Sequence, residues 1–445
     1  MAKQAEEEPV PLHAQFPPVT FVPRGAPDNQ QDQGNLLAAK QSPGFPMSGG
    51  VFAHCLSRRG ERLMLDFTAQ GVGVRFEIDG VWLNADPMDR QTGNAVLAVY
   101  KTITNLNVQD RRSKQEGTFG AEFSGGKFNC EFVSQGVKTG ERVLIKINPK
   151  KPKFGKIEEL GMRDKMRGLF KELMDTSPGM VLISAPKGGG LSATWDMSLT
   201  LADRLIRDFV CLEDKNAPDN EVINVNQHYY DKAASETPLT ILPRLALKEP
   251  DVWVVPDPTS AEVLAELCKQ VNEIERMAVT RVHASNAIEA LLRLVSYKSP
   301  LPELAKALTG VLNVRLARRL CDQCKQPFQP PPQLLQRLGI PAGRVQVLYQ
   351  EYKPPAEPPV DEKGRPIEIP ICQKCGGLGY CGRIGLFELL TLDDKIREAL
   401  VKQPNLETLK RVAKASGHRS LQEEGILQVA LGVTSVQELQ RALKQ

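Results

Sequence analysis

Four cysteines in this chain have the type and spacing to do metal chemistry. Cys321 and Cys324 lie in CDQC, and Cys372 and Cys375 lie in CQKC. Two thiolates separated by two residues reach one ion, and two such pairs complete a tetrahedral four-thiolate set of the kind that holds Zn²⁺. The span between the pairs is rich in proline, so no regular core element is expected there, and a metal would clip its ends together. The competing reading is a pair of redox dithiols or small buried hydrophobes. Doubling of the motif favours metal where a single pair would not. Cys55, Cys130, Cys211, Cys268 and Cys381 are scattered and read as reduced thiols; Cys381 is near the second pair but breaks the spacing.

A second candidate for chemistry is the glycine-rich run APKGGGLS, from Ala185 to Ser192. A short apolar strand (Met180 to Ser184) precedes it and a helix follows, from Leu191 to about Arg207. Strand, glycine turn and helix are the context of a phosphate loop, G-x-x-x-x-G-K-[ST]. Backbone N–H groups of Gly188, Gly189 and Gly190 at a helix N-terminus can face an anion, and Ser192 keeps the hydroxyl. Ala185 stands where the first glycine belongs, and Leu191 where the lysine belongs. Losing one member of a partly desolvated charge pair costs roughly 2–5 kcal/mol, about thirty- to several-thousand-fold in affinity or rate. Lys187 could bring its charge back only by reaching across the loop; otherwise it is a solvated loop residue.

The elements that must position these groups alternate in type. The N-terminal part shows strand patterns in Arg62 to Trp82 around Gly71, Phe119 to Phe123, Lys127 to Ser134 and Arg142 to Ile147, with helical spacing over Asn94 to Leu106. After the basic run INPKKPKFGK come a helix over Met162 to Met174, the strand DFVCLED (Asp208 to Asp214), a helix around Leu239 to Leu247, and the strand DVWVV (Asp251 to Val255). A helix from Ser260 to Glu275, the strand MAVTRV ending at His283, and helix from Glu303 onward complete the series. Apolar strands alternating with helices predict a mainly parallel sheet covered on both faces. The fold class is therefore α/β. At 445 residues two to four domains are expected, and a formal charge of +4 gives no reason to expect a polyanion partner. No apolar run is long enough to span a bilayer and no signal segment is seen, which points to a cytoplasmic chain with its cysteines reduced.

Beyond these patterns, RLARRLCDQC, CQKCGGLGYCGRIGLFELLTLDDKIREAL and ASGHRSLQEEGILQVALGVTSVQEL resemble the type II secretion and type IV pilus assembly ATPases (GspE/PilB-like). The resemblance extends back through VHASNA, EPDVWVV, CLED and MVLISAPKGGG to RRSKQEG and FEIDGVW. It implies a small N-terminal α/β lobe, a RecA-like P-loop lobe, a zinc segment and a C-terminal helical subdomain. Composition, rich in Pro, Gln and Gly without apolar periodicity, leads residues 1–50 to be expected as a disordered tail, and the basic run 147–156 as a linker. With the resemblance, 51–146 are expected to be the α/β lobe, 157–310 the nucleotide lobe, 311–390 the four-cysteine zinc segment and 391–445 the helical subdomain. It also implies ATP and Mg²⁺ as ligands, a hexameric ring, other secretion or pilus subunits as partners, and peripheral attachment to the inner membrane through a platform protein. The family's usual N-terminal docking domain has no visible counterpart.

Several positions depart from the family's pattern. The strand corresponding to DVWVV would run into Gly-Glu-Ile-Arg-Asp; here Pro256-Asp257-Pro258-Thr259-Ser260 follows. Asp257 keeps a carboxylate between two prolines, either as a water-orienting group or as a turn residue. Thr240, Pro243 and Leu247 occupy arginine positions, with Arg244 off by one, and Thr118 replaces another arginine. Arg112, Gln115 and Gly117 match. Glu213 and Asp214 match an acidic pair able to hold Mg²⁺ through water, and His283 matches a histidine after the fourth strand. Losses at the lysine, the glutamate and the arginines all remove one function. The expectation is a subunit with lost or weakened ATP hydrolysis that holds nucleotide weakly. Two alternatives remain open: an active atypical ATPase using Lys187 and Asp257, and a zinc-stabilised protein or nucleic-acid interaction module, supported only by the basic run from Ile147 to Lys156.

Overall fold

The computed structural model describes residues 12–151, 154–341, 343–355 and 370–444. The acidic cluster Glu6 to Glu8 and the centre of the proline-rich span, 356–369, lie outside the described residues. The chain divides into two compact units, Met1–Lys153 and Phe154–Gln445.

The first unit contains β1 (Thr20–Pro23), α1 (Asn29–Gln41), α2 (Phe45–Ser57), β2 (Gly60–Phe67), β3 (Val72–Ile78), β4 (Val81–Met88), α3 (Arg90–Ile103), β5 (Gln115–Phe123), β6 (Gly126–Val137) and β7 (Gly140–Pro149). The strands form one antiparallel sheet in the order β1-β5-β6-β7-β2-β3-β4. Strict alternation of buried and less buried residues along β3 shows a sheet with one packed face.

Residues 12–50 correct the expectation of a disordered tail. Phe21 on β1 is buried, and its ring meets Phe45, Phe52, Tyr100 and Phe119 edge-on at centroid distances of 5.6–6.0 Å. Such contacts add to the burial of large rings. Helix α1 buries only Ala39 and is capped by Asp28, which accepts the N–H of Gln31. Its Gln-rich sequence carries little apolar periodicity, and aromatic partners up to a hundred residues away order the segment instead. The expected linker is also shorter, because Ile147, Asn148 and Pro149 are the last residues of β7.

The second unit contains α4 (Asp164–Asp175), β8 (Gly179–Ala185), α5 (Leu191–Leu201), β9 (Phe209–Asp214), β10 (Val225–Tyr230), α6 (Pro238–Ala246), β11 (Val252–Val255), α7 (Ala261–Asn272), β12 (Met277–His283), α8 (Ala287–Val295), α9 (Leu301–Ala307), β13 (Leu308–Leu320), β14 (Gln326–Phe328), α10 (Pro332–Arg337), β15 (Leu348–Gln350), β16 (Tyr380–Thr391), α11 (Asp394–Lys402), α12 (Leu406–Ala415), α13 (Leu421–Ala430) and α14 (Val436–Lys444). The sheet order is β10-β9-β11-β12-β8-β13-β16, parallel except for the β13–β16 pair.

Successive residues of each strand face opposite sides. Val181, Ile183, Cys211, Val254 and Val279 pack with α4 and α5. Met180, Leu182, Leu212, Trp253 and Ala278 pack with α6, α7, α8, α9, α11 and α12. Helices α11 and α12 thus belong to the core of the sheet, while α13 and α14 pack with Ala317 and Leu386 of β13 and β16. Helix does not run on from Glu303: α9 ends at Ala307 and thirteen residues of β13 follow. The proline-rich span also holds more regular structure than its composition suggests, since β14 pairs with β15 and Leu348 is fully buried.

In the first unit Lys101 and Glu141 form an ion pair with both side chains fully buried, and the Lys101 ammonium also donates to the carbonyl of Asp110. Removing one partner strands the other charge, so Lys101→Met is expected to cost about 3–5 kcal/mol of stability. Lys101→Met combined with Glu141→Leu should recover most of that loss in urea unfolding. Two single losses that merely add in the double variant would refute the pairing.

Candidate functional site

The parallel pairing of β8, β9, β11 and β12 places the C-terminal ends of all four strands on one edge of the sheet. That edge gathers the glycine loop, Glu213, Asp257 and His283. In an open parallel sheet this is where ligands bind.

The loop leaves β8 at Ala185 and enters α5 at Leu191. Gly188 and Gly190 have φ of +73° and +94°, values that disfavour any residue with a Cβ. A Cβ on Gly190 would also lie 3.1 Å from Leu316 of β13, so the loop is pressed against that strand. The N–H of Gly189 donates to the carbonyl of Pro186 at 2.8 Å. It is spent inside the loop and does not face outward, unlike the three free donors expected from sequence. Lys187 and Ser192 are exposed, and Lys187 has no ion-pair partner among the described residues. Leu191 is only 9% exposed and joins Ile183, Trp195, Leu312 and Val314 in one apolar cluster. The lysine position of a phosphate loop therefore anchors α5 to the core here.

Glu213, at the end of β9, is buried. Its carboxylate accepts from the Cys211 thiol at 3.0 Å, the Asp219 N–H at 3.1 Å and the Gln227 amide at 3.4 Å. Asp214 accepts the Asn216 N–H and pairs with Lys232 at 2.8 Å; the Lys232 bond first, then the Asn216 N–H, hold its carboxyl below the usual range. Asp257 is exposed and 4.0 Å from the Arg281 guanidinium. His283 is hydrogen-bonded through Nδ1 to the Ala185 carbonyl at 3.1 Å. A carbonyl only accepts, so Nδ1 carries the proton and Nε2 faces away from that bond. Arg244 is exposed on α6.

Sequence reasoning missed the residues that dominate the charge at this edge. Arg281 follows Met277 and Val279 on the α5 face of β12, where the strand pattern calls for a third apolar residue. Its guanidinium forks onto Asp219 at 2.9 and 3.0 Å and lies 5.0 Å from the centre of the Trp195 ring. Asp196, on the second turn of α5, accepts the Asn220 amide at 2.8 Å. Burial pushes the Asp196 acid up to about 6, with Asp219 and Glu213 adding like charge while Asn220 and Arg281 pull the other way. A lone arginine within an apolar strand was the available signal.

The four cysteines come together at the far end of β13. Leu320 pairs with Tyr380 across the β13–β16 ladder, and the Cys321 N–H donates to the Gly379 carbonyl at 2.9 Å. Cys324 is held by its N–H to the Cys321 carbonyl, and the Gly376 N–H closes the second knuckle onto the Cys372 carbonyl. All four sulfurs lie within 4.8 Å of one another, with Cys321–Cys372 at 3.8 Å and Cys324–Cys375 at 3.6 Å. A tetrahedron with Zn–S bonds of about 2.3 Å has sulfur–sulfur edges of about 3.8 Å, so the set fits one tetrahedral ion. The N–H groups of Cys375 and Lys374 bring the Cys372 thiol down to about 7, while burial pushes the Cys321 and Cys324 thiols up. Four thiolates in one place therefore call for a bound cation to ionise them. Lys374 pairs with Asp322 at 2.6 Å and bridges the two knuckles.

Asp196 sets a pH dependence. Its folded pKa lies above the ordinary value of 3.8, so the folded state binds the proton more tightly. Stability from this group is highest below pH 4, falls between pH 4 and 6, and stays lower above; the full change is about 3 kcal/mol. Asp196→Asn should raise the melting temperature at pH 8 and remove that part of the pH slope. An unchanged slope would contradict the assignment.

Comparison with known proteins places the chain. The family model described as "Type II/IV secretion system protein" matches residues 38–441, beginning inside α1. The chain is 28% identical over 372 residues to the type IV pilus assembly ATPase PilB of Thermus thermophilus, covering 83% of this chain and 39% of that protein. It is 25% identical over 404 residues to the type II secretion system protein E of Pseudomonas aeruginosa, covering 91% and 76%. It thus spans less than half the length of the first relative and about three-quarters of the second. Among solved structures, the Legionella pneumophila ATPase DotB aligns with a TM-score of 0.55 at 12% identity, covering 89% of this chain and 94% of that one. The Yersinia pseudotuberculosis ATPase DotB aligns at 0.53 and 13%, covering 90% and 93%. At such identities the likeness concerns the fold, an α/β fold shared with secretion ATPases. The family match over most of the chain shows that this protein belongs to the type II/IV secretion system protein family, with type II secretion protein E and the type IV pilus assembly ATPases among its relatives.

Proposed function

We propose that this chain is a subunit of a type II secretion or type IV pilus apparatus in which ATP hydrolysis is lost or weakened and the fold is kept for assembly or regulation. The observation that carries the reading is Leu191, buried in the α5 core at the place where a phosphate loop needs a cation. A γ-phosphate at this loop would meet neither that lysine nor the arginines whose positions Thr240, Pro243 and Leu247 occupy, and its developing charge would go unneutralised. The turn that takes up the Gly189 N–H supports the same conclusion. Gly188, Gly190 and Ser192 are left as weak contacts for ATP, with Mg²⁺ carried in by the nucleotide and its water rather than held by the acidic edge.

In this reading the chain enters a hexameric ring, either of its own copies or mixed with a true motor subunit. It works on the cytoplasmic side, at the periphery of the inner membrane, against a platform protein. No helix among the described residues is long and apolar enough to cross a membrane. Cys321, Cys324, Cys372 and Cys375 are assigned to one Zn²⁺. When bound, that ion cross-links the end of β13 to the start of β16 and carries no catalytic step.

Two measurements check this. The purified chain with Mg²⁺ and ATP is expected to release no phosphate above a contaminant control; steady turnover abolished by Lys187→Ala or Asp257→Asn would overturn the reading in favour of an active, atypical motor. Metal analysis is expected to give one zinc per chain, with chelation exposing the Cys321 and Gly376 amides to hydrogen exchange. Unchanged protection after complete zinc removal would refute the structural role.

A further inference from the structure

The acidic edge of the cleft contains its own cation. Asp196, Glu213, Asp219 and Asp257 come from α5, β9 and the loops after β9 and β11. Asp219 and Asp257 flank one positive side chain, Arg281, which is 13% exposed, and Asp196 feels the charges of Asp219, Arg281 and Glu213. The fork onto Asp219 uses two guanidinium nitrogens, at 2.9 and 3.0 Å, while Asp257 lies 4.0 Å away on the solvent side. The Trp195 face covers the guanidinium at 5.0 Å. The ring face and a bidentate carboxylate fix Arg281 in one place, where a flexible ammonium would wander. The Arg281 N–H is also bonded to the Pro256 carbonyl at 3.2 Å, which ties its backbone to the segment that carries Asp257.

We infer that Arg281 is the built-in counter-cation of this acidic edge and makes it refuse divalent metal ions. A hard cation such as Mg²⁺ or Mn²⁺ is held by carboxylate oxygens and water. Here the Asp219 carboxylate, central to the group, is already occupied by a fixed positive charge, and a second cation beside it would be repelled at close range. The inference deepens the proposed loss of hydrolysis and rests on it for its biological meaning, because a triphosphate without a bound metal has lost its main charge neutraliser. Its physical content is separate and can be tested without nucleotide.

The test is titration of the zinc-loaded full chain with Mn²⁺, following the free-ion EPR signal, at low ionic strength and about pH 7.5. The wild type is expected to bind no Mn²⁺ below about 1 mM. Arg281→Ala should bind one equivalent at least tenfold more tightly, with Mn²⁺ quenching Trp195 fluorescence. Arg281→Lys, which keeps the charge but loses the fork, should bind Mn²⁺ more weakly than Arg281→Ala, and Asp219→Asn added to Arg281→Ala should abolish the gain. Arg281→Met, which keeps the packing of the stem, serves as the second neutral variant if Arg281→Ala does not fold. Sub-millimolar Mn²⁺ binding by the wild type that Asp196→Asn or Asp219→Asn removes overturns the inference and needs no Arg281 variant. A folded neutral variant that still refuses Mn²⁺ overturns it too. Either result leaves the hydrolysis reading standing, since that is decided by phosphate release alone.

Discussion

Strand β13 is the constraint on which both chemical regions depend. It pairs in parallel with β8, which delivers the glycine loop, and antiparallel with β16, whose start lies beside the second cysteine pair. Leu316 presses on Gly190 from this strand, and Cys321 follows directly from its last residue. Two polar side chains secure it. Asn313 donates to the Ser184 hydroxyl at 2.8 Å and to the Ala284 carbonyl at 3.2 Å, bonding β13 to both flanks of the cleft edge. Arg315 donates to the carbonyls of Ala442, Leu443 and Ser285, and so holds the end of α14 against the loop after β12. Buried groups of this kind persist only when their partners are in place.

Positive charge is redistributed at the C-terminal edge of the sheet. A phosphate loop concentrates a cation at the start of its helix; here that position is the apolar Leu191, and the fixed cation is Arg281, two strand-facing residues beyond Met277 on the same face. Desolvation explains why the two go together. An apolar side chain at the first turn of α5 packs into the core without cost, while a largely buried arginine needs the carboxylate of Asp219 and the ring of Trp195 to be tolerable. The acidic residues around it relax only partly, since burial still pushes Asp196 well above an ordinary aspartate.

Local patterns carried much of the architecture. Apolar strands such as MVLIS and DVWVV were legible because a strand buried on both faces needs no partner to reveal itself. Helix spacing placed α3 and α7 within a few residues, whereas α5 ends at Leu201, six residues before the expected Arg207. The doubled C-x-x-C pointed to a metal set because two pairs together supply four thiolates, where one pair alone serves equally well as a redox dithiol. Where the reading failed, the stabilising partner lay far away in sequence. The helices of residues 29–57 have weak periodicity and are ordered through the aromatic cluster that Phe119 and Tyr100 complete. Strand β13 contains Asn313, Arg315, Arg318 and Arg319, which obscure its apolar alternation until their partners are known.

The amino-acid sequence by itself determined which residues could do chemistry: four thiols at ligand spacing, three glycines before a helix, and a leucine in place of a lysine. Those are properties of side-chain type and short-range spacing, and no folding changes them. Only the tertiary structure decided that Cys321 and Cys372, 51 positions apart in the chain, come within 3.8 Å of each other, that the Gly189 N–H turns inward, and that Arg281 finds Asp219. Distance in space between residues remote along the chain is set by sheet order and register, and Coulomb interactions and hydrogen bonds respond to that distance alone.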